Sequence, residues 1–167
     1  MRSFLRYWLP VLLWALLITW MSTDAGAPRN TSRIIGPILR WFHPDISDDT
    51  VQRVQFVARK GAHLTEYALL AALLWRARRK SYWGDARPWR GQEAACAVVI
   101  AVLFAVTDEW HQTFVPGRDG RLADVLLDGS GALAAMLGLW WWQSRWRRRQ
   151  LKQHAWRLPG RAADGSG

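Results

Sequence analysis

Cysteine is all but missing from this chain of 167 residues: Cys96 is the only one. An internal disulfide is therefore excluded, and no zinc-like spacing exists. Cys96 sits amid Ala and Val and reads as a small apolar packing residue. Acidic residues are also sparse, 13 against 23 Lys and Arg, which leaves a formal charge of +10. Such an excess raises nucleic-acid binding, but a DNA binder clusters its cations beside a folded groove-reading element. Here the cations border apolar runs. That pattern argues against nucleic acid and for topology signals in contact with anionic membrane lipids. The sequence lacks a nucleophile motif and any diagnostic metal-ligand spacing, so no cofactor and no metal are expected.

High overall hydropathy is missing as well. Mean hydropathy is -0.12, because apolar runs alternate with very basic segments. The 13 Trp residues are unusual. Trp20, Trp41, Trp75, Trp83, Trp110, Trp140, Trp141 and Trp142 flank the runs, where an amphipathic indole favours the headgroup zone.

The runs predict an all-α membrane protein, a four-transmembrane-helix bundle with helices near 7–23, 54–75, 92–109 and 122–142. The first run also resembles a signal peptide, because Ala25-Gly26-Ala27 forms an A-x-A pattern. Its length and Trp content favour a retained helix, with Pro10 near its start. Residues 24–53 form a polar connection in which Ile34 to Leu39 suggests a short interfacial helix. Ser47-Asp48-Asp49 then reads as a helix start, a cap followed by acids. The second segment is the least apolar, because Arg59, Lys60, His63 and Glu66 lie inside it. In the fourth, Ser130, Ala134 and Gly138 form a small-residue stripe suited to close packing in lipid, with Gly131 and Ala135 as a second pair. Residues 144–167 read as a basic cytoplasmic tail, partly disordered.

Lys and Arg counts orient the bundle. The amino terminus, the connection between the second and third helices and the tail together carry fifteen, and the opposite side six. The positive-inside bias then places both termini in the cytoplasm. In this topology the ionisable residues of three helices meet in the outer leaflet. Arg59, Lys60, His63 and Glu66 fall within an arc of about 120° on the second helix. The third helix exits through Asp108 and Glu109, with His111 and Gln112 beyond, and the fourth re-enters through Asp124 and Asp128. Isolated charges are costly in hydrocarbon, so such residues face the bundle interior, pair, and mark function. A purely structural ion-pair network pinning the helices is the alternative. A metal held by His63, Glu66, Asp108, His111 and Asp124 is a further reading, though no spacing supports it.

The stretches Arg59-Lys60-Gly61-Ala62-His63-Leu64-Thr65-Glu66-Tyr67, Asp108-Glu109-Trp110-His111-Gln112-Thr113-Phe114-Val115-Pro116-Gly117-Arg118 and Asp124-Val125-Leu126-Leu127-Asp128-Gly129-Ser130-Gly131 resemble the signatures of the VanZ-like family. The resemblance covers about residues 5–143. Asp128 departs from it, since the family commonly has Asn there. It implies a multi-pass protein of the bacterial inner membrane, in a cell-envelope setting linked to resistance to the glycopeptide teicoplanin. Pro116-Gly117 suits a type II turn that would hold Arg118 over the cluster, where it could clamp a phosphate or carboxylate.

The expected function is binding of a lipid-linked or anionic envelope molecule at the outer leaflet, with its modification as a further step. Arg59, Lys60, His111, Gln112, Arg118, Asp124 and Asp128 are the binding candidates. His63, Glu66, Asp108 and Glu109 are the candidates for proton handling. The alternatives are a small proton-coupled transporter and a non-catalytic partner of an envelope enzyme complex.

Overall fold

The computed structural model describes residues 2–23, 28–80, 85, 87–116 and 120–156. They form five helices: α1 (Arg2–Met21), α2 (Pro28–Phe42), α3 (Asp48–Arg79), α4 (Gly91–Gln112) and α5 (Leu122–Trp156). No strand occurs among the described residues.

The molecule is apolar on the outside. Leu12, Leu13 and Leu16 of α1, Val99 and Leu103 of α4, and Leu126, Leu133 and Leu137 of α5 all face outward. An apolar exterior of this extent is the mark of a lipid-facing surface. Three helices are long and apolar enough to cross a membrane: Phe4–Met21, Gly91–Gln112 and Leu122–Leu151. This corrects the expectation of four apolar spans. The exception is α3, whose hydropathy is diluted by Arg59, Lys60, His63 and Glu66. Its position explains why it tolerates them: α3 packs against each of the other four helices. Its face of Tyr67, Leu70, Ala71 and Leu74 is buried at helical spacing.

α3 starts where its sequence says it should. The hydroxyl of Ser47 accepts the Thr50 N–H at 3.3 Å, and Asp48 and Asp49 occupy the positive end of the helix. Arg40 of α2 forms an ion pair with Asp48. α2 is amphipathic: Ile34, Ile38, Trp41 and Phe42 are exposed along one face, the pattern of a helix lying in a membrane interface. α1 begins five residues before the expected start, so Pro10 lies inside the helix. Transmembrane helices tolerate such a proline where neighbours compensate.

Small residues set the packing. Along α4, Ala94, Ala97, Ala101 and Ala105 are all buried, which brings its backbone close to its neighbours. On α5 the expected stripe is not the contact face, since Ser130, Ala134 and Gly138 are exposed. The interface instead runs through Gly131 and Ala132. A Cβ on Gly131 would stand 2.3 Å from the Leu64 carbonyl oxygen, so this glycine marks the crossing of α3 and α5. Trp75 does not present its ring outward: it is buried and stacked on Trp89. Trp83, the Ala25-Gly26-Ala27 pattern and residues 157–167 of the tail lie outside the described residues. The tail's first part continues α5 as helix to Trp156.

At the end of the bundle where α3 finishes, Arg79 is buried. Its guanidinium donates to Asp85 Oδ2 (3.0 Å), the Pro88 carbonyl (2.9 Å), the Arg87 carbonyl (2.6 Å) and Glu93 Oε2 (3.3 Å). Gln143 of α5 donates to the Arg87 carbonyl at 2.9 Å. This network ties α3, α4 and α5 together through the connection between α3 and α4.

Candidate functional site

The opposite end of the bundle carries a second polar cluster, built by four helices. α1 ends one residue before Ser22, and α4 runs antiparallel to α3 and parallel to α1. The alanine face of α4 continues through Asp108 and Gln112, spaced so that both point inward. The Ser22 hydroxyl donates to Asp108 Oδ2 at 2.7 Å. Gln112 Nε2 donates to the same oxygen at 2.9 Å and to the Ser22 hydroxyl at 3.4 Å. All three side chains are buried. Close by on α1, the Trp14 indole N–H donates to the Glu66 carbonyl at 2.9 Å, which fixes α1 against α3.

α3 and α5 run in the same direction, and their polar residues meet in matched steps. Lys60 forms an ion pair with Asp124. One turn deeper, His63 Nδ1 lies 3.6 Å from Asp128 Oδ1, and beyond that Leu64 meets Gly131. Asp128 is wholly buried. Neither of its carboxylate oxygens has a hydrogen-bond partner among the described residues.

Glu109 closes the cluster from α4. Its Oε2 accepts the backbone N–H of Arg121 at 2.8 Å, and its Oε1 is buried without a hydrogen bond. Gly120 makes this return of the chain possible: a Cβ there would stand 2.3 Å from the Glu109 carbonyl oxygen. One donor atom each from His63, Glu109 and Asp128 lie within 4.8 Å of one another. Tyr67, one turn below His63, is fully buried, and its hydroxyl has no hydrogen-bond partner among the described residues.

The VanZ/LLP1 family model matches residues 7–143, most of the chain. The chain belongs to the VanZ/LLP1 family. No curated protein and no solved structure matches it.

Within this VanZ/LLP1 protein, the residues singled out from the sequence divide clearly. Lys60, His63, Asp108, Glu109, Gln112, Asp124 and Asp128 gather at one end of the bundle, in the contacts given above. Glu66 is half-buried on α3. Arg59 lies nearer the surface, its guanidinium 5.9 Å from the centre of the Phe56 ring. His111 is exposed and does not join the cluster. Gly117 and Arg118, with the turn expected there, lie outside the described residues. The metal set weighed from the sequence does not assemble as such. His63 is grouped with Glu109 and Asp128, not with His111 and Asp124. Ser22 and Tyr67 were missed as site residues. Tyr67 was readable, since it lies four residues after His63 and so shares its face. Ser22 was not, because nothing local says which side of α1 meets α4.

Proposed function

We propose that this VanZ/LLP1 protein is a multi-pass protein of the bacterial cell inner membrane that binds a lipid-linked or anionic envelope molecule at the outer leaflet. The acid–base groups held there equip it to act on that molecule. The carrying observation is that α1, α3, α4 and α5 each bring polar side chains to one end of an otherwise apolar bundle. Groups so costly to keep in hydrocarbon mark function. Arg59 and Lys60 are the contacts for an anionic headgroup, with Arg118 as a third. His63, Glu66, Asp108 and Glu109 are the groups placed to take or give protons. The envelope setting agrees with the glycopeptide-resistance link that the family resemblance implies.

The orientation belongs to the same proposal. α3, shielded by its neighbours, crosses as the fourth span, and the fifteen-to-six distribution of Lys and Arg keeps both termini in the cytoplasm. Reporter fusions after Lys80 should then behave as cytoplasmic and fusions after Arg40 as external. The reverse pattern would turn the cluster to the cytoplasm and end the outer-leaflet reading. Between the two polar ends, Leu70, Ala71, Leu74, Ala97, Ala101 and Met136 form a buried apolar layer. That layer favours one-sided access over passage through the bundle.

Native mass spectrometry in nanodiscs drawn from the producing membrane tests the binding. The wild-type chain should carry a phosphate-bearing amphiphile. Arg59→Gln should carry about tenfold less, the loss of one charge-assisted contact. Equal loading of the two proteins removes the headgroup role of Arg59. Adducts limited to bulk phospholipid in both remove the envelope ligand.

A further inference from the structure

A carboxylate with no hydrogen bond, wholly removed from solvent, is among the most unfavourable groups a folded chain can hold. Asp128 is in that position, with both oxygens bare among the described residues. Glu109 Oε1, from a different helix, is buried and bare as well. The natural counter-charge, Lys60, is already paired with Asp124. Two buried acids with unused lone pairs and an imidazole therefore meet, their donor atoms within 4.8 Å of one another.

The distances do not fit a hydrogen-bonded cluster. His63 Nδ1 and Asp128 Oδ1 are 3.6 Å apart, too long for a hydrogen bond. They are close to the separation of about 3.4 Å between two ligands of a tetrahedral ion bound at about 2.0–2.1 Å. We propose that His63, Glu109 and Asp128 hold a divalent transition-metal cation, zinc or manganese, at the junction of α3, α4 and α5.

The chemistry of the set fits that class. One imidazole with two carboxylates suits borderline and harder first-row ions. Three protein ligands leave a coordination position for an external oxygen. The surrounding shell is already in place. The Arg121 N–H fixes Glu109 through its other oxygen, as outer partners orient the ligands of metal sites. Gly131 sets the α3–α5 separation one turn below Asp128. The open position would accept a phosphate or carboxylate oxygen. This gives a cluster rich in acids a way to attract an anion. The proposal rests on the functional reading above only for that anion, and metal binding is read with no envelope ligand present.

The test uses the full-length protein, purified in detergent, stripped with chelator, loaded with Zn2+ or Mn2+ and desalted. Elemental analysis should find on the order of one equivalent per chain, with a melting temperature several degrees above the stripped form. Asp128→Asn and His63→Gln should lose both the metal and the thermal shift. His111→Gln, altered at an exposed histidine outside the cluster, should keep both. The electron spin echo of the wild-type Mn2+ form should carry nitrogen modulation from one bound imidazole, a readout that needs no variant to fold. No retained metal in the wild type overturns the proposal. So does full retention in Asp128→Asn and His63→Gln, or a spin echo without imidazole nitrogen.

Discussion

Arg79→Ala is expected to cost the folded chain about 3 kcal/mol, at the lower end of the range for breaking a buried ion pair. The side chain of Arg79 is only 2% exposed, and that of its partner Asp85 5%. One planar guanidinium serves Asp85, Glu93 and two backbone carbonyls at once. The loss stays at the lower end because Arg87 Nη2 remains 2.7 Å from Asp85 Oδ2. Arg79→Lys should recover only part of it, since a point charge on a flexible stem cannot serve that set of acceptors. The guanidinium also lies 5.4 Å from the Trp75 ring centre, and Trp75 stacks on Trp89 at 5.3 Å. Loss of Arg79 should therefore weaken the near-ultraviolet dichroism of that Trp pair as well as the melting temperature. A variant that melts with the wild type and keeps the Trp signal would reduce this network to decoration.

Gly131→Leu is expected to prevent correct assembly of α3 against α5, and Gly131→Ala to destabilise it by about 1–3 kcal/mol, the usual cost of overpacking. The obstruction is backbone: a Cβ would stand 2.3 Å from the Leu64 carbonyl oxygen and 3.1 Å from its carbon. No rotamer change relieves that overlap, so the two helices must separate. Separation would also draw Asp128 away from His63 and Asp124 away from Lys60. Gly138→Ala is the internal control. Nothing lies within 4 Å of the Cβ it would add, so its stability should equal or exceed that of the wild type, since Ala favours a helix interior over Gly. Comparing the two alanine variants by detergent-titrated unfolding checks the claim. Equal stability would mean that α3 and α5 do not cross at Gly131.

Much of this was readable in the chain, and the failures share a physical cause. The convergence of Lys60, His63, Asp108, Glu109, Asp124 and Asp128 on one end followed from helix direction alone. The Ser47 start of α3 followed from cap chemistry. The choice of contact face on α5 did not. Two small-residue patterns, one through Ser130 and one through Gly131, are equally good locally. Only the partner helix decides which one is buried. The same limit hid the role of Arg79. Its place in a run of basic residues reads as a topology signal, and nothing nearby announces that Asp85 and Glu93 will enclose it. Hydropathy does not count α3 among the spans, for a different reason. Its charges lower the score of a helix that the other four surround.

The alanine face of α4 has a mechanical consequence. A row of methyl groups lets the neighbouring helices approach closely, and beside that row Val98, Val102 and Phe104 pack against the core. The ends of α4 are pinned in addition, by Glu93 on Arg79 at one and by Asp108 on Ser22 at the other. Those two anchors are fifteen residues apart, about 22 Å of helix. α4 is thus held along its length by packing and at each end by a polar anchor.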